Sequence, residues 1–320
     1  MVGAPVRYLK QLRRAYLRRR QGVPATPSWV QVEINNTCNL KCVMCPREAM
    51  TRRPRYMTIE EFRDIADKCR AASVPRLRLF LLGEPLLHPE LAEMIAYAKS
   101  VGIPSVEFNT NAALLTPGKA EAVIEAGLDQ IVFSLDGVDA ATYEGIRVGG
   151  RYEEVTAHVE DFCRRVQAKG KGPHTTIQTI VMGSTREHVP AFRERWQGVA
   201  DRVEVQCLRE YQGVEAGRTT QIRPGDELRP CPALWDYLVI LADRRVVPCC
   251  VDINGDMTLD DIALTDIETL WTRNPVLQEL RAHHLGYNYT GYPLCRGCEF
   301  TNVSLLKRKA RETEAELAAE

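Results

Sequence analysis

The chain has 320 residues, 45% of them hydrophobic, and its 42 basic side chains balance its 42 acidic ones. This length suits one large domain with a smaller one, and the neutral charge excludes a general electrostatic attraction to nucleic acid. No apolar run approaches the roughly 20 residues that span a bilayer, and no signal peptide is recognisable. We therefore expect a cytoplasmic protein without a membrane partner, whose 11 cysteines are mostly metal ligands and not disulfides.

The first predicted element is a basic amphipathic helix within residues 1–27. Its apolar residues fall loosely on one stripe at helical spacing, and basic residues precede the first acid, Glu33. The basic residues are Arg7, Lys10, Arg13, Arg14, Arg18, Arg19 and Arg20. Two interpretations stay open, a solvated helix packed against the fold or a site for an anionic partner.

Residues 28–210 alternate short β-branched segments with helical ones, the pattern of βα units around a parallel sheet. The predicted strands are Val30–Ile34, Leu77–Leu82, Ser105–Asn109, Gln130–Leu135, Thr175–Met182 and Arg202–Leu208. The predicted helices are Thr58–Ala72, Pro89–Val101, Pro117–Ala126, Tyr152–Lys169 and His188–Val199. Six such units fit a partial (β/α)6 barrel of the TIM type, whose chemistry gathers at the carboxyl ends of the strands.

After the first predicted strand come Cys38, Cys42 and Cys45, spaced by three and then two residues. A [4Fe-4S] cluster binds four ligands, so three thiolates leave one iron open to a substrate or cofactor. The alternative is a zinc site, although zinc motifs usually pair cysteines two apart and complete the tetrahedron with a second local pair.

This cysteine spacing resembles the radical S-adenosylmethionine (radical SAM) superfamily. The resemblance implies that the open iron binds the amino and carboxylate groups of SAM, and that reduction of the cluster cleaves SAM to a 5'-deoxyadenosyl radical. It also implies an external one-electron donor of the flavodoxin or ferredoxin kind. Met44 replaces the usual aromatic residue before the third cysteine, and an adaptable thioether still suits a place beside adenine.

Further motifs of that family follow the later strands. Gly83-Glu84-Pro85 resembles the Gly-Gly-Glu-Pro motif, with Leu82 in place of the first glycine. The resemblance implies that Glu84 or the neighbouring backbone binds the SAM amino group, and the alternative is an acidic residue at a surface turn. Short polar residues at two other strand ends are expected near the ribose or the methionyl end of SAM, although they also suit ordinary turns. These residues are Thr110, Asn111, Ser134 and Asp136.

Two more side chains are expected at the SAM site. Arg147 matches an arginine that binds the SAM carboxylate in many relatives, and its fork of donors suits a carboxylate. The alternative is an exposed helix arginine. Met182 ends the fifth predicted strand and is expected either to cover adenine or to lie in the core.

A second cysteine set lies in residues 231–300, beyond a Gly-containing linker over 211–230. Trp235–Ala242 and Val246–Cys249 predict a hairpin that follows Cys231, and a helix is predicted over Ile267–His283. Cys295 and Cys298 form a pair spaced by two residues. Four thiolates from a hairpin and a later pair suit a second [4Fe-4S] cluster or a zinc ion.

This arrangement resembles the shortened SPASM or twitch extension of radical SAM enzymes. The resemblance implies a single auxiliary [4Fe-4S] cluster bound by Cys231, Cys249, Cys295 and Cys298. Residues 301–320 contain no cysteine and predict a charged helix.

The remaining cysteines are assigned by their positions. Cys69 and Cys163 lie in predicted helices and are expected to be core thiols. Cys250 directly follows a ligand, where sulfatase-maturing relatives place an acidic residue, and is the expected hydrogen-atom donor or base. The alternatives are an inert neighbour or a cluster ligand in place of Cys249. Cys207, at the end of the sixth predicted strand, is the second candidate donor.

The resemblance implies that the radical removes hydrogen from a carbinol carbon of a small carbohydrate-like metabolite, such as a sugar, aminocyclitol or aminoglycoside. Return of hydrogen by a thiol gives epimerisation, and loss of an electron to the auxiliary cluster gives dehydrogenation. Two alternatives stay open: a peptide maturase or epimerase, and a non-catalytic scaffold in which metals only cross-link the chain.

Overall fold

A computed structural model describes residues 22–183, 185–208, 225–289, 291–296 and 298–302, with residues 304 and 308. Most of the predicted basic segment 1–27, the linker 211–230 and the predicted helix 301–320 lies outside these ranges. Within the ranges, no helix combines the length and apolar character needed to cross a membrane.

The strands are short and mostly buried. In chain order they are β1 Trp29–Val32, β2 Lys41–Cys42, β3 Arg76–Arg78, β4 Ser105–Thr110, β5 Gln130–Ser134, β6 Arg147–Val148, β7 His174–Val181, β8 Arg202–Cys207, β9 Tyr237–Ile240, β10 Arg245–Val247 and β11 Asp260–Asp261. Nine of them form one sheet in the order β11-β10-β9-β1-β3-β4-β5-β7-β8. Neighbours from β9 to β8 pair in parallel, whereas β10 and β11 pair antiparallel.

The helices are α1 Ile59–Ala71, α2 Leu91–Ser100, α3 Pro117–Glu125, α4 Ala140–Ile146, α5 Tyr152–Lys169, α6 Val189–Trp196, α7 Ile267–Thr272, α8 Pro275–Leu285 and α9 Pro293–Arg296. Short 3-10 turns cover Pro46–Ala49, Pro85–Leu87, Pro232–Trp235 and Glu299–Thr301. Helix α1 begins with a capping box, in which the Thr58 hydroxyl accepts the Glu61 N–H and the Glu61 carboxylate accepts the Thr58 N–H. These elements confirm the predicted parallel α/β architecture.

The two faces of the sheet differ in chemistry, because successive strand residues point to opposite sides. Val30, Leu77 and Phe108 belong to the main core with Phe62 of α1. The intervening residues are largely polar and define the inner face of the partial barrel. This inner face includes Trp29, Gln31, Arg76, Arg78, Phe80, Glu107, Gln178, Glu204, Gln206, Tyr237 and Val239.

Several predicted boundaries were wrong. The second predicted strand, Leu77–Leu82, forms sheet pairs only over Arg76–Arg78, since the chain then bends into the 3-10 turn Pro85–Leu87. The single predicted helix Ile267–His283 is two helices. Asn274 caps the second by accepting the Leu277 N–H, and Pro275 occupies its first turn.

The C-terminal hairpin does not form a separate sheet. Strand β9 pairs in parallel with β1 along its whole length, from Trp29 opposite Tyr237 to Val32 opposite Ile240. The hairpin therefore extends the barrel sheet at the free edge of β1.

Candidate active site

The first cysteine loop leaves β1 and places hydrogen-bond donors against its sulfurs. The Cys38 Sγ accepts the Leu40 N–H at 3.5 Å and the Asn111 side-chain N–H at 3.8 Å. Arg147 Nη1 donates to Cys42 Sγ at 3.6 Å. Burial raises the pKa of Cys38 to about 11 and raises that of Cys45 as well. Such thiols become thiolates only with a positive centre nearby, and bound iron is such a centre.

A two-stranded ribbon holds the middle cysteine. Strands β2 and β6 pair antiparallel, with Cys42 opposite Arg147 and Lys41 opposite Val148. Cys42 and Arg147 therefore share one face of the ribbon, as their side-chain contact requires. Neither strand was predicted, because each has only two residues.

Glu84 is buried and accepts hydrogen bonds from three neighbours. Its carboxylate accepts the Thr110 hydroxyl at 2.6 Å, the Asn111 backbone N–H at 2.8 Å and the Leu86 backbone N–H at 3.0 Å. Burial raises the pKa of Glu84 against the lowering effect of these donors. Glu84 thus connects the loop after β3 to the end of β4, and its contact with SAM stays a prediction.

Gly83 is required by the packing of this loop. A Cβ atom there would lie 2.1 Å from the backbone oxygen of Asn35, so no larger residue fits without moving the chain. The side-chain Oδ1 of Asn35 is buried and has no hydrogen-bond partner among the described residues. An unpaired buried acceptor beside the cysteine loop suits an N–H-bearing ligand such as SAM. Pro85 follows, buried, in the first turn of the 3-10 segment.

Arg147 is buried and not an exposed helix residue. Its Nε and Nη2 reach Asp136 Oδ2 at 2.8 and 2.6 Å, and the Ile180 N–H donates to Asp136 Oδ1 at 2.7 Å. Burial lowers the pKa of Arg147, and the charges of Asp136 and Cys42 outweigh that effect and raise it. Asp136 therefore contacts protein groups, while Arg147 extends from it toward the cysteine loop.

Three other predicted cofactor contacts are partly buried: Met44 between the second and third cysteines, Ser134 at the end of β5, and Met182 just after β7. Their roles stay predictions.

The second cysteine set comes together from distant parts of the sequence. Burial and the charges of Cys250, Cys231, Cys298 and Cys295 raise the pKa of Cys249. Burial also raises the pKa of both Cys231 and Cys295 to about 12. The charges of the other three expected ligands thus act on Cys249, and the assignment of these four cysteines to one cluster stays a prediction. Within the described ranges no three potential ligands converge on a single metal ion, and a four-iron cluster does not require this because each cysteine binds a different iron.

Cys250 lies beside the inner face. The Tyr237 hydroxyl donates to Cys250 Sγ at 3.4 Å, and both residues pack against Val239, Leu241 and Val247. The side chain of Cys207 lies outside the described part of the structure. Cys69 and Cys163 are buried in α1 and α5, as predicted for core thiols.

Arg52 connects the two cysteine regions, and no pattern in the sequence predicted this role. Its guanidinium binds Glu33 through two hydrogen bonds of 2.6 and 2.9 Å, and its Nε donates to the Ile253 carbonyl at 2.7 Å. Glu33 also accepts the Ala242 N–H at 3.0 Å. The segment after the first cysteine loop is thereby fixed to the segment after Cys250.

Comparison with protein families gives two matches. Residues 32–195 match the Radical SAM superfamily, and residues 231–299 match SPASM, an iron-sulfur cluster-binding domain. Together they confirm the predicted fold, a radical SAM α/β domain followed by a SPASM domain.

Curated relatives resemble part of the chain. It is 29% identical over 171 residues to a GTP 3',8-cyclase of Chlorobaculum tepidum, covering 53% of this chain and 50% of the relative. It is 35% identical over 127 residues to a probable GTP 3',8-cyclase of Methanocaldococcus jannaschii, covering 39% and 42%. The chain thus spans about half the length, or less, of these relatives.

Solved structures share the fold over most of the chain. BtrN in complex with AdoMet and 2-DOIA gives a TM-score of 0.59 at 18% identity, covering 87% of this chain and 94% of BtrN. SuiB of Streptococcus suis, bound to the precursor peptide SuiA, gives a TM-score of 0.68 at 15% identity, covering 88% and 73%. At such low identity the similarity establishes the fold alone.

Proposed function

Because this chain belongs to the radical SAM superfamily and carries a SPASM domain, we propose that it removes a hydrogen atom from a carbinol carbon of a carbohydrate-like metabolite. The family's [4Fe-4S] cluster and SAM supply the 5'-deoxyadenosyl radical for this step, and an external one-electron donor supplies the electron. We assign Cys38, Cys42 and Cys45 to that cluster. The proposed auxiliary ligands are Cys231, Cys249, Cys295 and Cys298.

Arg147 is the residue best suited to bind the SAM carboxylate. Asp136 fixes its guanidinium through Nε and Nη2, so the third nitrogen, Nη1, is directed toward the cysteine loop. Because its guanidinium is already held rigid, Arg147 loses little conformational entropy when the ligand binds. Glu84 has three donors on its carboxylate, and we propose that it supports the SAM amino-group site mainly by fixing the loop that begins at Gly83.

The polar inner face supports a substrate rich in hydroxyl groups. Gln206 Nε2 donates to Gln178 Oε1 at 2.8 Å and contacts Glu204 at 3.3 Å. Gln31 donates to the Phe80 carbonyl at 2.8 Å. Primary amides offer both donors and acceptors, as sugar hydroxyls need.

The proposed reaction rests on one observation: the Cys250 thiol lies beside the inner face. When a substrate carbon radical forms, the thiol gives its hydrogen atom: an S–H bond breaks, a C–H bond forms, and a sulfur radical remains. One electron from the external donor and one proton restore the thiol. Delivery to the face opposite the abstraction inverts the carbon, so the reaction is an epimerisation.

Turnover in deuterated water tests this proposal. The Cys250 thiol exchanges with solvent, so the inverted product should carry one deuterium at the reacting carbon. Cys250→Ser should abolish labelled product while SAM cleavage continues, and Cys207→Ala should leave labelling intact. An unlabelled ketone would instead establish dehydrogenation with the auxiliary cluster as oxidant.

Two observations favour other substrate classes. SuiB is described bound to a precursor peptide, and the curated relatives are named for GTP, so a peptide or a nucleotide is the alternative substrate class. A purely structural role predicts no 5'-deoxyadenosine when the reduced protein meets SAM, whereas an enzyme forms it even without substrate.

A further inference from the structure

Arg78 projects from β3 onto the inner face and is held there by aromatic rings and a carboxylate. Its guanidinium carbon lies 5.3 Å from the centre of the Trp29 ring and 5.4 Å from that of Phe80. Its Nε donates to Glu107 on the neighbouring strand β4. The side chain remains 30% exposed. The cation is therefore fixed in position while part of it faces open space.

The local charge favours an anion. Arg76 Nε also lies 3.7 Å from Glu107, so two arginines share one carboxylate, and the side chain of Arg76 is 42% exposed. One positive charge is left without an equal counter-charge in this group of three. Charge interactions are stronger in a partly buried site than in open water.

Two kinds of donor in this group of side chains have no partner. Among the described residues, the terminal nitrogens of Arg78 have no hydrogen-bond acceptor, and the bond to Glu107 uses Nε. The indole N–H of Trp29, whose ring packs against the Arg78 guanidinium, is buried and has no partner in the described ranges. A planar pair of guanidinium donors suits a group with several charged oxygens.

A chain of side-chain contacts leads from Arg78 through Trp29 to Cys250. The Tyr237 ring stacks on Trp29 with centroids 4.7 Å apart, and its hydroxyl donates to the Cys250 thiol. A substrate anchored at Arg78 would thus lie close to the proposed hydrogen donor.

We propose that Arg78, assisted by the Trp29 indole N–H, binds an anionic oxygen group of the substrate, either a carboxylate or a phosphate. The substrate is then an acidic or phosphorylated carbohydrate, not a neutral or polyamino one. This inference rests on the proposed function, because it places the substrate on the inner face. Glu107 holds the arginine in place and competes with the ligand for its charge.

Equilibrium binding to the cluster-loaded protein with SAM present tests the inference. The probes share one ring: glucose, glucosamine, glucuronate and glucose 6-phosphate. Hydrogen bonds to charged groups are stronger than those between neutral groups, so at least one acidic probe should bind about tenfold or more tighter than glucose. The tighter of the two acidic probes distinguishes carboxylate from phosphate.

Two variants should move affinity in opposite directions. Arg78→Met should abolish the preference for the acidic probe, and Glu107→Gln should strengthen it by freeing both arginines. Arg63→Met is the matched control, because Arg63 also lies over a ring, Tyr97, and pairs with a carboxylate, Glu93, but on the exposed outer surface.

Equal affinity for glucose and the acidic probes, no binding of either acidic probe, or weaker acid binding by Glu107→Gln would overturn the inference. The deuterium-labelling experiment tests the proposed epimerisation independently of anion binding. Failure of anion binding and failure of epimerisation are therefore distinguishable.

Discussion

Arg147 and Asp136 form a buried ion pair, with Arg147 Nη2 2.6 Å from Asp136 Oδ2. Because Arg147 Nη1 also reaches Cys42 Sγ, the pair connects the turn after β5 to the cysteine loop. The position of a proposed cluster ligand thus depends on a carboxylate 94 residues away in sequence.

Removing Arg147 should destabilise the fold as well as the site. Arg147→Met leaves the wholly buried Asp136 without its cation, and breaking such a pair costs about 3–5 kcal/mol. Denaturant unfolding measures the loss. The double variant with Asp136→Asn should recover part of it, and Arg151→Met, at a side chain that is 77% exposed, should stay within about 0.5 kcal/mol of the parent. Equal stability of the two single arginine variants would contradict the role of the ion pair.

Replacement of Glu84 by Gln tests the buried carboxylate. The new NH2 group faces a donor, so at least one of the three hydrogen bonds is lost, and unfolding should require about 1–3 kcal/mol less. Thr110→Ser keeps the hydroxyl that donates to Glu84 and accepts the Ala112 N–H, so it should cost less than Glu84→Gln. Glu187→Gln, at an exposed turn, is the control. If Thr110→Ser proved the more damaging variant, Glu84 would not be the centre of this network.

His88 should make folding less favourable in acid. Burial lowers its pKa in the folded protein, and its Nε2 lies 2.8 Å from the Met57 carbonyl oxygen. The unfolded chain therefore binds the proton first, and stability falls as the pH drops below about 6.5, the ordinary value for histidine. His88→Gln should flatten this part of the pH profile, measured by unfolding at several pH values. His174→Gln, at an exposed position, is the control.

Iron content tests the ligand assignment. Two [4Fe-4S] clusters give about eight irons per chain, and Cys295→Ala should reduce this to about four while 5'-deoxyadenosine formation from SAM persists. Cys38→Ala should also halve the iron but stop SAM cleavage. Cys163→Ala, at a buried helix thiol, should retain the full content. Unchanged iron in Cys295→Ala would remove that residue from the ligand set.

The sequence predicted most of the local structure at the strand ends. The alternation of β-branched and helical segments identified the strand positions of the barrel, and the predicted helix Thr58–Ala72 agrees with α1 to within one residue at each end. Sequence-based prediction failed where an element is too short to show a periodicity, as in the two-residue strands that contain Cys42 and Arg147. It also extended a helix through Asn274-Pro275, where capping and a missing N–H favour a break.

The residue pattern alone was enough to predict two sets of cysteines and a mostly parallel sheet. Which side chains face one another depends on how the chain folds. Arg52 meets Glu33 and Ile253, Arg78 meets Trp29 and Glu107, and Tyr237 meets Cys250. These contacts depend on strand pairing and register: β9, for example, pairs with β1 across about 200 residues, and no local pattern encodes which free edge a distant strand will join.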